Sequence, residues 1–215
     1  EPMMVRERKK PRVIMSAQPQ PATIPFVMSE ESSDETLMLR YRAGDAEAFT
    51  VLYERHKGAL YRYFLRQSDG AAIAEELFQD VWLNLIRART QYSVQAKFST
   101  YLYRLAHNRL VDYYRRQSAA LAAAWNDGAG PPLEETLAID TQEPEQQMQI
   151  RSQIARFVSL LGALPEVQRE AFLLREEAGM TVDEIAEATG VERETAKSRV
   201  RYAINRLRRG LSEDL

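Results

Sequence analysis

The sequence contains no cysteine and only two histidines among its 215 residues. Without cysteine the chain has neither disulfide bonds nor thiolate metal ligands, and two distant histidines do not form a histidine-rich metal site. The sequence also lacks a P-loop, a glycine-rich dinucleotide turn and a constellation of histidine with a carboxylate. It therefore predicts no metal, no cofactor and no enzymatic activity.

Long apolar runs are missing as well. No segment approaches the roughly 20 apolar residues that cross a bilayer, and no charged segment followed by an apolar run marks a secretory signal. Apolar residues make up 45% of the chain and charged residues 28%, which is ordinary for a soluble globular protein. We therefore expect a cytoplasmic protein without membrane insertion.

Strand-like alternation is absent, whereas apolar residues recur at helical spacing, so the sequence predicts an all-α fold. Residues 1–33 hold five of the nine prolines and are predicted to be a disordered leader. Residues 34–116 are predicted to form one small helical domain, and residues 150–215 a second with about four helices. Residues 117–149 contain no Lys or Arg and six carboxylates, which is typical of an acidic flexible linker. An alanine run at its start is also able to extend the preceding helix.

The strongest local pattern lies near the C-terminus. Thr181 with Glu184 forms a capping box at a helix start, and Gly190 supplies a residue tolerant of positive φ for a sharp turn. A second helix then carries one apolar stripe, Ala196, Val200, Ala203 and Leu207. Two short helices joined by a glycine turn are the ingredients of a DNA-reading helix-turn-helix.

The charge of this second helix favours the same function. Residues 192–209 carry seven cations and two carboxylates, whereas the whole chain has a net charge of −2. The polar side chains on the face opposite the stripe and on its flanks are Lys197, Ser198, Arg199, Arg201, Tyr202 and Asn205. An ordinary helical hairpin with a solvated charged face is the alternative, but charge concentrated on a helix-turn-helix is the electrostatic signature of DNA binding.

A second candidate nucleic-acid surface lies at residues 97–116. The predicted buried stripe consists of Leu102, Leu105, Ala106, Leu110 and Tyr113, and the opposite face carries Tyr101, Arg104, Asn108 and Arg115. Cations interleaved with aromatic rings suit single-stranded nucleic acid, because the cations follow phosphates while the rings stack on bases. The alternative is a core helix with tyrosines at its boundary, where the hydroxyl stays in water.

The predicted helix at residues 71–89 is apolar nearly all round. Its core stripe is widened by Phe78 and Trp82, yet Leu83 and Ile86 lie on the far side beside three polar residues, Glu76, Gln79 and Asp80. A helix of this kind is either fully buried or presents a surface to a partner. We predict a protein-docking face there. His56 falls on the apolar stripe of the preceding helix and is interpreted as a histidine at the edge of the core.

Five segments, taken in order, resemble a bacterial sigma factor of the extracytoplasmic-function type (group IV of the sigma-70 family). They are GDAEAFTVLYERH (44–56), AEELFQDVWLNL (74–85), FSTYLYRLAHNRLVDYYRR (98–116), LPEVQREAFLLR (164–175) and the helix-turn-helix. The resemblance implies a region 2 helical bundle and a region 4 helix-turn-helix domain joined by a linker. It covers nearly everything except the leader.

The resemblance also implies roles for individual residues. The core polymerase surface, which would contact the β′ clamp helices, consists of Glu76, Gln79, Asp80 and Leu83. The residues implied to bind the melted −10 element as a single strand are Tyr92, Tyr101, Arg104 and Asn108. The residues implied to face the duplex −35 element are Lys197, Ser198, Arg199, Arg201 and Tyr202, and Tyr202 stands where many members have Arg.

A sigma factor catalyses no reaction. It binds core RNA polymerase through the β′ clamp helices and the β flap, selects −35 and −10 promoter elements and helps to melt the −10 region. The resemblance further implies an anti-sigma protein as a partner and a location at the bacterial nucleoid. A conventional helix-turn-helix regulator is the alternative, but it would need a sensor domain, and residues 34–116 show no alternation of strands and helices.

Overall fold

The computed structural model of the protein describes residues 32–126 and 145–212, with side chains described for residues 32–119 and 151–212. Within those ranges all regular structure is helical, which confirms the all-α prediction there. The leader up to residue 31 and the acidic linker at 127–144 lie outside the described residues. No helix in the described part of the chain is long and apolar enough to span a bilayer.

The described residues 32–126 form four helices, α1 (Asp34–Arg42), α2 (Ala46–Leu65), α3 (Ala71–Ala88) and α4 (Phe98–Asn126), called here the first half. A short 3-10 turn, Arg89–Gln91, follows α3. Helix α2 packs on α1 and α3, and α4 packs on α3 and α1. Helix α4 continues to Asn126, so residues 117–126 of the predicted linker are helical and the alanine run extends the helix.

The core of this half is built from the predicted apolar stripes. Its buried members include Leu52, Leu60 and Tyr63 of α2, Leu77, Val81 and Leu85 of α3, and Leu102, Ala106 and Leu110 of α4. Phe98 and Tyr103 are also fully buried although the stripe did not include them. Burying a large apolar side chain contributes about 1.5–3 kcal/mol, so these three facing stripes supply most of the stabilisation of the bundle.

His56 lies at the edge of this core, as predicted. Its Nε2 is 2.6 Å from Asp34 Oδ2, and its ring centroid is 5.2 Å from that of Phe98. Arg55 Nη1 donates to the other oxygen of Asp34 at 2.7 Å. The hydrogen bonds from His56 and Arg55 lower the pKa of Asp34 although partial burial opposes them. Asp34 therefore connects the first turn of α1 to the middle of α2.

The described residues 145–212, called here the second half, also form four helices, α5 (Glu145–Gly162), α6 (Glu166–Glu176), α7 (Val182–Thr189) and α8 (Arg193–Ser212). Helix α8 packs on α5, α6 and α7. Helix α7 also packs on α4, so the two halves of the chain are in contact. That contact joins residues far apart in sequence and had no signature in the sequence.

The helix-turn-helix has the predicted local structure. The Thr181 hydroxyl accepts from the Glu184 N–H at 3.3 Å, and Glu184 Oε2 accepts from the Thr181 N–H at 2.8 Å, which completes the capping box. Gly190 ends α7 with a φ of 66°, a left-handed conformation that glycine adopts without a Cβ penalty. The stripe Ala196, Val200, Ala203 and Leu207 is buried along α8.

The contacts of Asp34 predict a pH-dependent contribution to stability. Its pKa is lowered from 3.8 in the folded state, so the contribution is present above that value and is lost as the pH falls through the folded pKa. Asp34→Asn is expected to lower the free energy of unfolding by about 1–2 kcal/mol near neutral pH, since it removes charge from two hydrogen bonds. Urea denaturation at about pH 7 and about pH 3 checks this. The exposed Glu47→Gln in α2 is the control, and an equal gap between Asp34→Asn and the unsubstituted protein at both pH values would contradict the assignment.

Candidate nucleic-acid and protein interfaces

The loop at residues 92–97 is held at both ends by α1. Arg42 Nη1 donates to the carbonyl oxygen of Tyr92 at 2.7 Å. Glu35 Oε1 accepts from the backbone N–H of Phe98 at 2.7 Å, which satisfies a donor at the start of α4. Partial burial raises the pKa of Glu35, but the Phe98 N–H and other hydrogen bonds lower it further, so the net pKa is below its usual value. Helix α1 thereby sets the conformation of the loop.

This loop forms one side of a cavity of about 200 Å³, called here the Tyr92 cavity. Its lining residues are Ala88, Gln91, Tyr92, Ser93, Gln95, Ala96, Tyr101, Arg104 and Glu187. The Tyr92 and Tyr101 rings meet edge to face at 5.3 Å, and the Arg104 guanidinium lies 5.8 Å from the Tyr101 ring centroid. Aromatic walls with a cation at the side are chemically suited to a nucleobase and its phosphate.

Tyr92 itself is only 4% exposed, so its ring is part of the core as well as of the cavity. Burial raises the pKa of its hydroxyl to about 12, and the hydroxyl therefore stays protonated. That buried hydroxyl has no hydrogen-bond partner among the described residues. The Tyr92 hydroxyl is thus an unpaired polar group inside the core, which is unfavourable.

The structure brings three of the four predicted −10 residues together and places the fourth next to them. Tyr92, Tyr101 and Arg104 line the Tyr92 cavity, whereas Asn108 is exposed one turn further along α4. Asn108 lines a neighbouring groove of about 480 Å³ together with Asn84, Arg87, Leu105, Arg109 and Asp112. Ala88 and Gln91 contribute to both, so the cavity and the groove form one continuous surface.

The predicted docking face of α3 combines exposed residues with one residue that is held in an ion pair. Glu76 and Gln79 are exposed, and Leu83 exposes 45% of its surface. Asp80, by contrast, forms an ion pair with Arg109 of α4. Asp80 therefore connects α3 to α4 in addition to lying on the predicted face.

The predicted −35 residues lie on the outer side of α8. Lys197, Arg201 and Tyr202 are exposed, and Ser198 and Arg199 are half-buried beside them. The Arg201 guanidinium lies 5.2 Å from the Tyr202 ring centroid, a cation–π distance. This orientation presents the cations and the tyrosine away from the core.

Sequence reasoning missed several residues of these surfaces. Gln91 and Glu187 line the Tyr92 cavity, Arg42 holds its loop, and Arg109 pairs with Asp80. Glu187 comes from α7, almost a hundred positions after Tyr92. Glu35 and Arg42 hold groups that lie 63 and 50 positions later in the chain, beyond α2 and α3, so they have no local signal. The positions of Arg109 and Glu187 depend on tertiary packing and have no local signal.

The α1 contacts predict that the loop loses order when Glu35 is removed. Glu35→Ala leaves the Phe98 N–H without its acceptor and is expected to raise amide hydrogen exchange at Phe98 and the residues just before it by about tenfold or more. Exchange measured by mass spectrometry or NMR checks this. Glu47→Ala in the first turn of α2 is the control and should leave the loop unchanged. Unaltered exchange in Glu35→Ala would mean that the loop is held by other contacts.

Two family models match the chain. The model described as Sigma-70 region 2 matches residues 52–120, which include most of α2, all of α3, the Tyr92 loop and most of α4. The model described as Sigma-70, region 4 matches residues 154–207, which include the helix-turn-helix. The two matches cover the two surfaces described above.

Individual proteins agree with the family models. ECF RNA polymerase sigma factor SigK of Mycobacterium sp. (strain KMS) is 30% identical over 199 residues, covering 90% of this chain and 97% of that protein. ECF RNA polymerase sigma-E factor of Haemophilus influenzae is 28% identical over 190 residues, covering 80% and 92%. The sigma factor RpoE of Bartonella quintana, solved with the anti-sigma factor NepR, superposes with a TM-score of 0.61 at 22% identity, covering 78% of this chain and 98% of that chain. This last similarity shows a shared fold.

Proposed function

The chain belongs to the sigma-70 family as an RNA polymerase sigma factor of the extracytoplasmic-function type, and on that basis we propose how its surfaces divide the work of promoter recognition. As a member it is an alternative sigma factor, a transcription initiation factor that directs RNA polymerase to promoters. The proposal assigns the melted −10 strand to α4 and its loop, the −35 duplex to α8, and core polymerase to α3.

The Tyr92 cavity is the observation that carries the proposal. A base extruded from the −10 element needs a pocket and a stacking or hydrogen-bonding partner to offset its lost stacking. The cavity offers the rings of Tyr92 and Tyr101 as stacking surfaces, and Arg104 lies beside it for the phosphate backbone. Asn108 would contact the strand where it leaves the cavity for the next groove.

The −35 assignment follows from the exposed face of α8. Lys197, Ser198 and Arg201 would face base edges in the major groove, with Arg199 and neighbouring cations on phosphates. Tyr202 lies under the guanidinium of Arg201 and would orient it toward the DNA. A helix-turn-helix places its second helix in the major groove in this way.

Core polymerase would dock on α3 through Leu83, with Glu76 and Gln79 around it. An exposed leucine surrounded by polar groups matches the usual anatomy of an interface, with an apolar centre and a polar rim. Asp80 would contribute while keeping its ion pair with Arg109. The β flap would bind the second half of the chain.

The proposal also covers catalysis, location in the cell and regulation by a partner protein. The protein itself would catalyse no reaction, and it would act at the bacterial nucleoid. An anti-sigma protein would hold it inactive, which is supported by the anti-sigma complex of the structurally similar Bartonella protein. In vitro transcription with purified core polymerase on a genomic library tests the whole proposal, because only a sigma factor gives promoter-specific transcripts in that assay.

The docking face predicts a loss of polymerase binding without loss of folding. Leu83→Ser is expected to weaken binding of core polymerase by about tenfold or more, because an exposed apolar anchor contributes roughly 1–2 kcal/mol at an interface. Pulldown of core polymerase at graded concentrations measures this. Leu65→Ser is the matched control, since Leu65 is a comparably exposed leucine at the end of α2. Equal losses in both variants would remove α3 from the docking face.

The two DNA surfaces predict separable defects. Asn108→Ala is expected to lower open-complex formation by the holoenzyme severalfold while leaving binding of duplex −35 DNA unchanged. Arg201→Ala is expected to weaken binding of duplex −35 DNA by about 1–3 kcal/mol and to leave open-complex formation unchanged. Permanganate footprinting and duplex DNA titration measure the two quantities. Matching losses of both activities in Asn108→Ala would make Asn108 a structural residue.

A further inference from the structure

The outer face of α8 carries an aromatic side chain among its cations. Tyr202 is the one aromatic residue of α8, and 53% of its surface is exposed. It lies on the side of the helix away from the buried stripe, next to the exposed Arg201. The ring therefore takes no part in the core and is available to a partner of this face.

The cations of α8 differ in how far they are already engaged. Arg193 pairs with Asp183 at 2.7 Å, and Lys197 Nζ lies 3.3 Å from Glu194 Oε2. Arg201 has no carboxylate partner among the described residues, and its guanidinium lies 5.2 Å from the Tyr202 ring centroid. A ring contact leaves the N–H donors of a guanidinium unused. Arg201 therefore presents its full set of donors beside an exposed ring.

A duplex limits what the Tyr202 ring can contact. The faces of paired bases are stacked on one another, so a side chain in the major groove meets only their edges. Those edges carry hydrogen-bonding groups and, on thymine, the C5-methyl group. The methyl group is the apolar partner that the groove offers to a ring. An exposed aromatic side chain on a helix in the major groove is therefore suited to thymine.

The guanidinium of Arg201 is suited to a different base. Arginine donates two parallel hydrogen bonds to O6 and N7 of guanine, which is the commonest specific contact in the major groove. Guanine and thymine belong to different base pairs, and successive pairs are about 3.4 Å apart along the helix axis. The 5.2 Å between the guanidinium and the ring centroid lets the two groups reach neighbouring pairs.

We propose that Arg201 and Tyr202 together select a guanine and a thymine in adjacent base pairs of the −35 duplex, with the Tyr202 ring on the thymine methyl group. This inference rests on the proposed function, because it takes the outer face of α8 to lie in the major groove. It adds the identity of the bases and makes Tyr202 a specificity-determining residue. The competing explanation is a Tyr202 hydroxyl that binds a phosphate.

Base preference is measured by in vitro transcription with core polymerase from a promoter library that is randomised in the −35 region. We expect the unsubstituted protein to enrich a guanine next to a thymine. Tyr202→Ala is expected to lower the preference for thymine about threefold to fourfold, which is the effect of one buried methyl group. Tyr202→Phe keeps the ring and should keep the preference. Equal losses in Tyr202→Phe and Tyr202→Ala would assign the effect to the hydroxyl and overturn the proposal.

Removal of the methyl group from the DNA tests the same contact from the other side. Deoxyuridine in place of the selected thymine keeps every hydrogen-bonding group and loses only the methyl group. It is expected to weaken promoter binding by the holoenzyme about threefold for the unsubstituted protein and for Tyr202→Phe. Binding by Tyr202→Ala should not change. Equal weakening in Tyr202→Ala would overturn the contact between the ring and the methyl group.

Arg206→Ala is the control for a general loss of DNA affinity. Arg206 is an exposed cation of the same helix, and loss of a phosphate contact weakens binding about equally for all sequences. Its base preferences should therefore match those of the unsubstituted protein. A loss of thymine preference in Arg206→Ala as large as that in Tyr202→Ala would mean that Tyr202 does not set the preference.

The transcription assay separates failure of this inference from failure of the proposed function. Promoter-specific transcripts without the adjacent guanine and thymine, or with a thymine preference that Tyr202→Ala retains, would reject only the base assignment. Absence of promoter-specific transcripts from the unsubstituted protein would reject the proposed function and the inference with it.

Discussion

Helix α4 packs against the core on one side and faces the cavity and the groove on the other, and most other features follow from that constraint. One side carries Leu102, Ala106 and Leu110, which are buried against the first three helices. The other side carries Arg104 and Asn108, which face the cavity and the groove. Because the apolar stripe fixes the rotation of the helix, it also fixes where Arg104 and Asn108 point.

The loop before α4 shows how a short helix gives an irregular segment a defined shape. A loop of this length has few backbone hydrogen bonds of its own, and its conformation depends on outside partners. Glu35 and Arg42, both from α1, supply those partners at the two ends of the loop. Tyr92 is only 4% exposed, so this wall of the cavity is packed into the core behind it. A preformed wall reduces the ordering cost of capturing a base.

The contact between the two halves contains several polar pairs. Carboxylates of α6, α7 and the intervening turn pair with arginines, a lysine, a histidine and a tyrosine of the first half. Contacts between domains of one chain are commonly more polar than a domain core.

The sequence alone determined the features that depend on neighbours a few positions apart. Helical stripes, the Thr181 capping box, the Gly190 turn and the basic face of α8 all follow from spacings of three or four residues and from single-residue backbone preferences. The family resemblance added the order of the segments, and both family models agree with it.

Only the tertiary structure decided which distant side chains meet. Asp80 with Arg109, and Glu170 with Tyr63 and His107, are pairs that no periodicity joins. The placement of Glu187 at the Tyr92 cavity likewise depends on how α7 packs on α4. Local patterns set the face on which a residue lies, because they act through the helix geometry. Which residue of another helix it contacts depends on how the helices pack together. That packing has to bury the apolar stripes of all the helices simultaneously.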